Sequence, residues 1–322
     1  MAFHKEVLKI DPAAVTEDVV ARLQKDVRQT LRRGGAVVGI SGGIDSSVVL
    51  ALCVQAFGPE RVLGVMMPER DSSPESLVLA RKLADHFGVE SIVEDLTEAL
   101  EGFGCYRRRD EAISRVFPEY NPAYKAKITL PGNVLDSETL NVFYLTVISP
   151  VGEETSKRLH PRDYLQIVAA SNFKQRSRMS MLYYHAELRN YAVAGTPNKN
   201  EHDQGFFVKW GDGGYDVAPI LHLYKTQVYQ LAAYLGVPDE ICQAMPTTDT
   251  YSAPCSQEEF FFRMPFATMD LLWYALEHEV PVSETAQAMD LTEAQVQRAF
   301  ADLTSKTRTT AYQRTLPIHY RG

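Results

Sequence analysis

The sequence predicts an α/β protein: a doubly wound, Rossmann-like parallel sheet of about five strands flanked by helices, followed by a helical C-terminal part. Three observations predict it. Short β-branched runs alternate with amphipathic stretches of helical period between residues 36 and 96. A glycine pair stands at the first strand-to-helix handover, in "GISGGIDSSVV". Beyond about residue 225 strand signals stop, and helical periods with capping-box signatures such as "SETAQAMD" and "LTEAQVQRAF" take over.

Residues 13–33 carry apolar positions at helical spacing and stop at Gly34-Gly35, a natural helix end. "AVVGI" (36–40) suits a strand buried on both faces, and the helical period returns over 46–57. "RVLGVMM" (61–67) reads as the second strand, "SPESLVLARKLADHFG" (73–88) as a capped helix, and "SIVEDL" (91–96) as the third strand. From about 100 to 165 the period weakens. This stretch is too rich in tyrosine and phenylalanine for disorder, so it reads as an ordered insertion that covers a site or builds an interface. Its "CYRRRDE" cluster (105–111) is either an anion contact or an ion-paired surface helix. "YLQIVAASN" (164–172) reads as a fourth strand, "FKQRSRMSMLYYHAELRNY" as a long helix, and "AVAGT" (192–196) as the fifth strand. No repeat interrupts the chain, which reads as one domain over 1–322.

Composition narrows the class. Of 322 residues, 45% are hydrophobic and 23% charged, as in an ordinary soluble enzyme. A net charge of −8 opposes a nucleic-acid partner, which needs a basic stripe. The sequence shows neither a signal-peptide pattern nor an apolar run near the ~20 residues of a membrane span, which points to the cytoplasm. Cys53, Cys105, Cys242 and Cys255 lack metal-site spacing and read as reduced thiols.

The glycine pair has a chemical reading. Ligands of open parallel sheets sit at the carboxyl ends of strands, where the next helix offers free N–H groups and a positive dipole end. Glycines let that backbone approach an anion closely, and Ser41, Ser46 and Ser47 add hydroxyls, so "SGGIDSS" suits phosphate. No lysine follows the glycines, which excludes the Gly-Lys-Ser/Thr nucleotide loop, and GxGxxG is absent too. Asp45 inside such a loop would repel phosphate unless it holds a Mg²⁺ that bridges it. The plainer account is a glycine-rich turn capped by aspartate or serine.

Ser-Gly-Gly-x-Asp-Ser resembles the pyrophosphate loop of the ATP pyrophosphatase (N-type) superfamily. A second cluster, "VAGTPNKNEHDQGFFVKWGDGGYDVAPILHLYKTQ" (193–227), together with "NFKQRSRM" (172–179) and "MPTTD" (245–249), resembles the NAD⁺ synthetase family. The resemblance runs in consistent order from Gly35 to about Asp249. Its Asn-Lys-x-Glu stretch is similar to the archaeal and glutamine-dependent variant.

That resemblance implies ATP as co-substrate, Mg²⁺, and amidation of deamido-NAD by ammonia through an adenylated carboxylate, with AMP and pyrophosphate released. It implies Asp45 and Glu201 as Mg²⁺ ligands. Ser41, Gly42, Gly43, Ser46 and Ser47 would hold pyrophosphate, with Arg176, Thr196, Lys225 and Thr247 at ATP. Asp45, Lys225 and Thr247 are the candidate catalytic set. Arg178, Lys209, Asp212, Asp216 and Arg314 would face the dinucleotide, and Arg176 and Arg178 are placed at the start of a helix. A homodimer is also implied. The family's C-terminal His-Lys-Arg corresponds to Tyr312-Gln313-Arg314, so one cation and a titratable ring are missing. Only 40 residues precede the loop in this sequence, too few for a glutaminase domain, so ammonia is expected to arrive free or from a separate glutaminase. Two other readings stay open: a ligase of the same mechanism for another acid, and a silent nucleotide-binding subunit.

Overall fold

A four-residue strand organises the molecule. Ala36, Val37 and Val38 of β1 (Ala36–Gly39) are fully buried, and their side chains alternate between the two faces of the sheet, as strand geometry requires. Ala36 and Val38 pack with Val19 and Leu23 of α1 (Pro12–Lys25) and Val48, Leu52 of α2 (Ile44–Phe57). Val37 packs on the other face. The computed structural model describes residues 3–130, 132–136, 142–245 and 251–320.

The chain continues through β2 (Val62–Met66), α3 (Pro74–Phe87) and β3 (Glu90–Val93). The insertion follows as α4 (Thr97–Gly102), α5 (Cys105–Val116), β4 (Lys125–Thr129), β5 (Tyr144–Ile148) and β6 (Glu154–Arg158). Then come α6 (Pro161–Arg189), β7 (Ala192–Ala194) and α7 (Lys199–Gln204). The C-terminal part holds α8 (Lys225–Leu235), α9 (Asp239–Gln243), α10 (Phe266–Glu277), α11 (Val282–Met289), α12 (Glu293–Thr309) and α13 (Ala311–Arg314).

The main sheet runs β3-β2-β1-β7, all parallel, with Ala36 opposite both Val62 and Ala192. The chain leaves β1 with β2 on one side and β7 on the other, so the carboxyl end of β1 is a topological switch point, where such sheets open a crevice. On one face lie α1, α2, α3 and α8. The other carries α6 over Val37, Leu63, Val65 and Val193. Val48, Val49, Leu50 and Leu52 of α2 are fully buried. At roughly 1.5–3 kcal/mol for each large aliphatic side chain removed from water, α2 and the turn before it are held firmly.

Two expectations are corrected. Residues 164–172 are not a strand but part of α6, so the parallel sheet has four strands among the described residues. His160 caps this helix, its Nδ1 accepting from the Arg162 N–H at 3.3 Å, and Pro161 takes the first position. The buried residues Ile167, Ala170, Ser171 and Lys174 recur at helical spacing; two of them are polar, which hides the period from an apolar count. Arg176 and Arg178 therefore sit deep in α6, not at a helix start.

The described residues of the insertion build a second sheet. Strands β4, β5 and β6 form an antiparallel sheet, and Ala112 and Ile113 of α5, with Phe117 just past its end, pack on Ile128, Leu145 and Val147. The C-terminal helices close around Met269, Leu272 and Trp273 of α10 and Val296, Ala299 and Leu303 of α12.

Candidate active site

Between β1 and α2 the chain makes one tight turn. Gly42 has φ +79°, and a Cβ there would stand 2.6 Å from the Ser76 carbonyl oxygen on α3, so only glycine fits. Gly43 caps α2 in extended conformation. The Ser46 and Ser47 hydroxyls each donate to the Gly43 carbonyl at 2.9 Å, and the Gly43 N–H donates to Ser41 Oγ at 3.3 Å. Hydroxyls thus shape the turn, and the first N–H groups of α2 remain for an anion.

Asp45 stands in the first turn of α2. Its Oδ2 pairs with Lys225 Nζ, and its Oδ1 accepts from Asn198 Nδ2 at 3.0 Å. Asn198 caps α7 in a reciprocal capping box: its Oδ1 accepts from the Glu201 N–H at 3.1 Å, while its own N–H donates to Glu201 Oε2 at 3.2 Å. Gln257 Nε2 donates to Glu201 Oε1 at 3.3 Å. Lys225 is fully buried at the first position of α8. Its N–H donates to Asn200 Oδ1 at 3.2 Å, and the next N–H, of Thr226, to Asp270 Oδ2 at 2.7 Å.

The charges are strongly linked. Removal from water, then the neighbouring Asp45 carboxylate, pushes Glu201 well above the usual carboxylate range, and Lys225 opposes this. Burial disfavours the Lys225 ammonium, but Asp45 and Glu201 outweigh it and raise the group above its ordinary value. A buried carboxyl raised by desolvation and by a neighbouring carboxylate, with hard oxygen donors on both residues, fits a divalent cation. Asp45 and Glu201 could hold one.

These groups floor a cleft of about 930 Å³. Ser41, Gly42, Gly43, Asp45, Ser46, Thr196, Glu201, Lys225, Arg178 and Asp212 all line it. Arg178 Nε donates to the Met67 carbonyl at 3.3 Å, and Asp212 Oδ1 accepts from the Val208 N–H at 2.6 Å. Five expected residues do not line it. Ser47 is buried beneath the turn. Arg176 is exposed, its guanidinium 3.4 Å from the Lys209 carbonyl. Lys209 Nζ donates to the carbonyls of Tyr312 and Thr315, at 3.2 and 2.5 Å. Asp216 accepts from the Val193 N–H at 2.8 Å and the Tyr183 hydroxyl at 3.1 Å. Arg314 donates to the His202 carbonyl at 3.0 Å. Thr247 lies outside the described residues.

Sequence reasoning missed Asn198 and Gln257, whereas the insertion, expected to cover a site or build an interface, lends Arg109 and Tyr124 to the cleft wall. The capping-box spacing from Asn198 to Glu201 was a readable signal; Gln257 gave none. The "CYRRRDE" cluster divides: Arg107 pairs with Glu111 at the surface, while buried Arg109 pairs with Asp71, and both of these line the cleft.

Comparison with known proteins agrees along most of the chain. The NAD synthase family model matches residues 15–121 and 135–317. An NH3-dependent NAD⁺ synthetase of Mesorhizobium japonicum is 53% identical over 312 residues, 97% of this chain and 98% of its own. One from Rhizobium meliloti is 49% identical over 312 residues, 97% of this chain and 93% of its own. Among solved structures, the NH3-dependent NAD synthetase from Campylobacter jejuni in complex with the nitrate ion shares the fold. Its TM-score is 0.63 at 23% identity, over 97% of this chain and all of that one.

Proposed function

The chain belongs to the NAD synthase family, and from this premise we propose which residues carry out its reaction, the ATP-dependent amidation of deamido-NAD to NAD⁺ by ammonia. It is a ligase that forms a C–N bond. A carboxylate is a poor acyl donor, so its oxygen first attacks the α-phosphorus of ATP. Pyrophosphate leaves and a mixed anhydride with AMP remains. Ammonia then adds to the activated carbonyl, and AMP departs with the C–O electron pair.

The turn around Gly42 receives the β- and γ-phosphates on the N–H groups opening α2, and Lys225 supplies a fixed positive charge as pyrophosphate forms. Asp45 and Glu201 would hold Mg²⁺, which when bound would supply positive charge to the phosphates. Thr196 and Arg178 lie along the same wall and orient the two anions for attack. Asp212 faces the dinucleotide, whereas Lys209 acts by fastening the C-terminal segment to the loop beside it and Arg314 by fastening that segment to α7. The chain works as a homodimer, a reading supported by the exposed Leu165, Tyr184 and Leu188 along α6; sedimentation velocity tests it.

The observation that carries the proposal is the meeting of Asp45, Glu201 and Lys225 beside the Gly42 turn, at the switch point of the sheet. With deamido-NAD, ATP and ammonium, AMP and pyrophosphate are expected in equal amounts. Asp45→Asn is expected to lose turnover while keeping the folded circular dichroism of the wild type, even where it melts lower because buried Lys225 loses its partner. ADP as the product, or Asp45→Asn at full rate, overturns the assignment.

A further inference from the structure

Asp45 and Glu201 arrive from distant parts of the chain, and one side chain touches both. Asn198 is completely buried. Its Nδ2 donates to Asp45 Oδ1, 153 positions away, at 3.0 Å, and its Oδ1 accepts from the Glu201 N–H at 3.1 Å. Its backbone N–H donates to the Glu201 carboxylate at 3.2 Å. Capping a six-residue helix needs only the last two contacts. The first goes beyond a cap. It directs a buried amide donor at a carboxylate on another element.

That contact has a physical consequence. A divalent cation held by two carboxylates needs their lone pairs aimed at one point, and each freely rotating carboxylate must be ordered when the metal arrives. A buried residue that pins the Asp45 carboxylate through its side-chain amide and the Glu201 carboxylate through its backbone N–H, while its Oδ1 fixes the Glu201 backbone, removes part of that ordering. Resting on the metal assignment above, we propose that Asn198 is a positioning residue that sets Asp45 and Glu201 as one donor pair for the divalent cation. Groups that orient metal ligands typically change metal affinity ten- to a hundredfold when removed.

Capping and positioning can be separated. Serine at 198 still caps α7 through its hydroxyl but is too short to reach Asp45. The full chain is titrated with Mn²⁺ in the presence of ATP, with acid and ammonia withheld so that nothing turns over. Water-proton relaxation enhancement reports the metal held by protein. Asn198→Ser is expected to bind Mn²⁺ about tenfold more weakly. Its melting temperature and its KM for deamido-NAD should match the wild type, and raised Mn²⁺ should restore its turnover. Asn198→Ala should lose the same metal affinity and melt lower as well. If Asn198→Ser holds Mn²⁺ as tightly as the wild type, Asn198 is a cap and nothing more. Should the serine variant fold poorly, Asn198→Gly, another tolerated cap, takes its place. Asp45→Asn and Glu201→Gln run in the same titration. Unchanged Mn²⁺ binding in both sinks the metal assignment, whereas loss in both with none in Asn198→Ser sinks only the positioning role.

Discussion

At Gly42 a missing side chain governs the chemistry. The residue holds φ +79°, and the position a Cβ would occupy lies 2.6 Å from the Ser76 carbonyl oxygen and 3.0 Å from Leu79 Cβ. Ser76 belongs to a helix and cannot step aside as a flexible side chain would. Gly42→Ala therefore meets both an unfavourable dihedral and a backbone contact, and should lose about 1–3 kcal/mol. Because the turn presents the α2 N–H groups, the change should raise the KM for ATP more than that for ammonia. A thermal scan with steady-state kinetics checks both. A variant that melts and binds ATP like the wild type would show that the turn relaxes without consequence.

The helix that carries Lys225 is anchored from below. Asp270 of α10 is fully buried, accepts from the Thr226 N–H at the start of α8, and accepts from Asn200 Nδ2 at 2.5 Å. Burial pushes its carboxyl up to about 6, against the pull of those hydrogen bonds. An acid whose pKa rises on folding stabilises the fold fully only while it is protonated in both states, below about pH 4. The contribution is lost as pH climbs through about 6, in total about 3 kcal/mol. Asp270→Asn has no such titration. The stability of the wild type relative to Asp270→Asn should therefore fall between about pH 4 and 6 and stay level above. Urea unfolding across that range measures it, and parallel curves would refute it. The sequence displayed this region unevenly. Strand β1, the turn and α2 were legible because a β-branched run, glycines and a helical period coincide within twenty residues. Asp270 was not, since a lone carboxylate in an apolar helix announces neither its burial nor its partners. The first part of α6, residues 164–172, was misread because its buried stripe includes Ser171 and runs on to Lys174, and only the sheet on one side and α5 beside it make those positions interior.

Across the whole molecule, the insertion is tied to the parallel sheet by charge as well as by apolar packing. Lys174 of α6 pairs with Glu69 at 3.0 Å and Asp71 at 2.7 Å, both on the segment leaving β2. Arg109 of α5 pairs with Asp71 and with Asp110 at 2.8 Å, and the Tyr106 hydroxyl donates to Glu69 at 2.7 Å. Lys174 and Glu69 are essentially inaccessible, with side chains 1% and 0% exposed. Asp71 is disfavoured by burial, yet Lys174 and Arg109 hold it below the usual carboxylate range. Removing one partner of such a network leaves the others buried and uncompensated, which costs more than the intact network contributes. Lys174→Met should therefore destabilise the protein by about 3–5 kcal/mol. If stranded charge is the cause, neutralising the partners in Glu69→Gln/Asp71→Asn/Lys174→Met should recover much of the loss. Denaturant unfolding of the two variants decides. A triple variant no more stable than Lys174→Met would place the cost in packing, and the insertion would then be held by shape and not by charge.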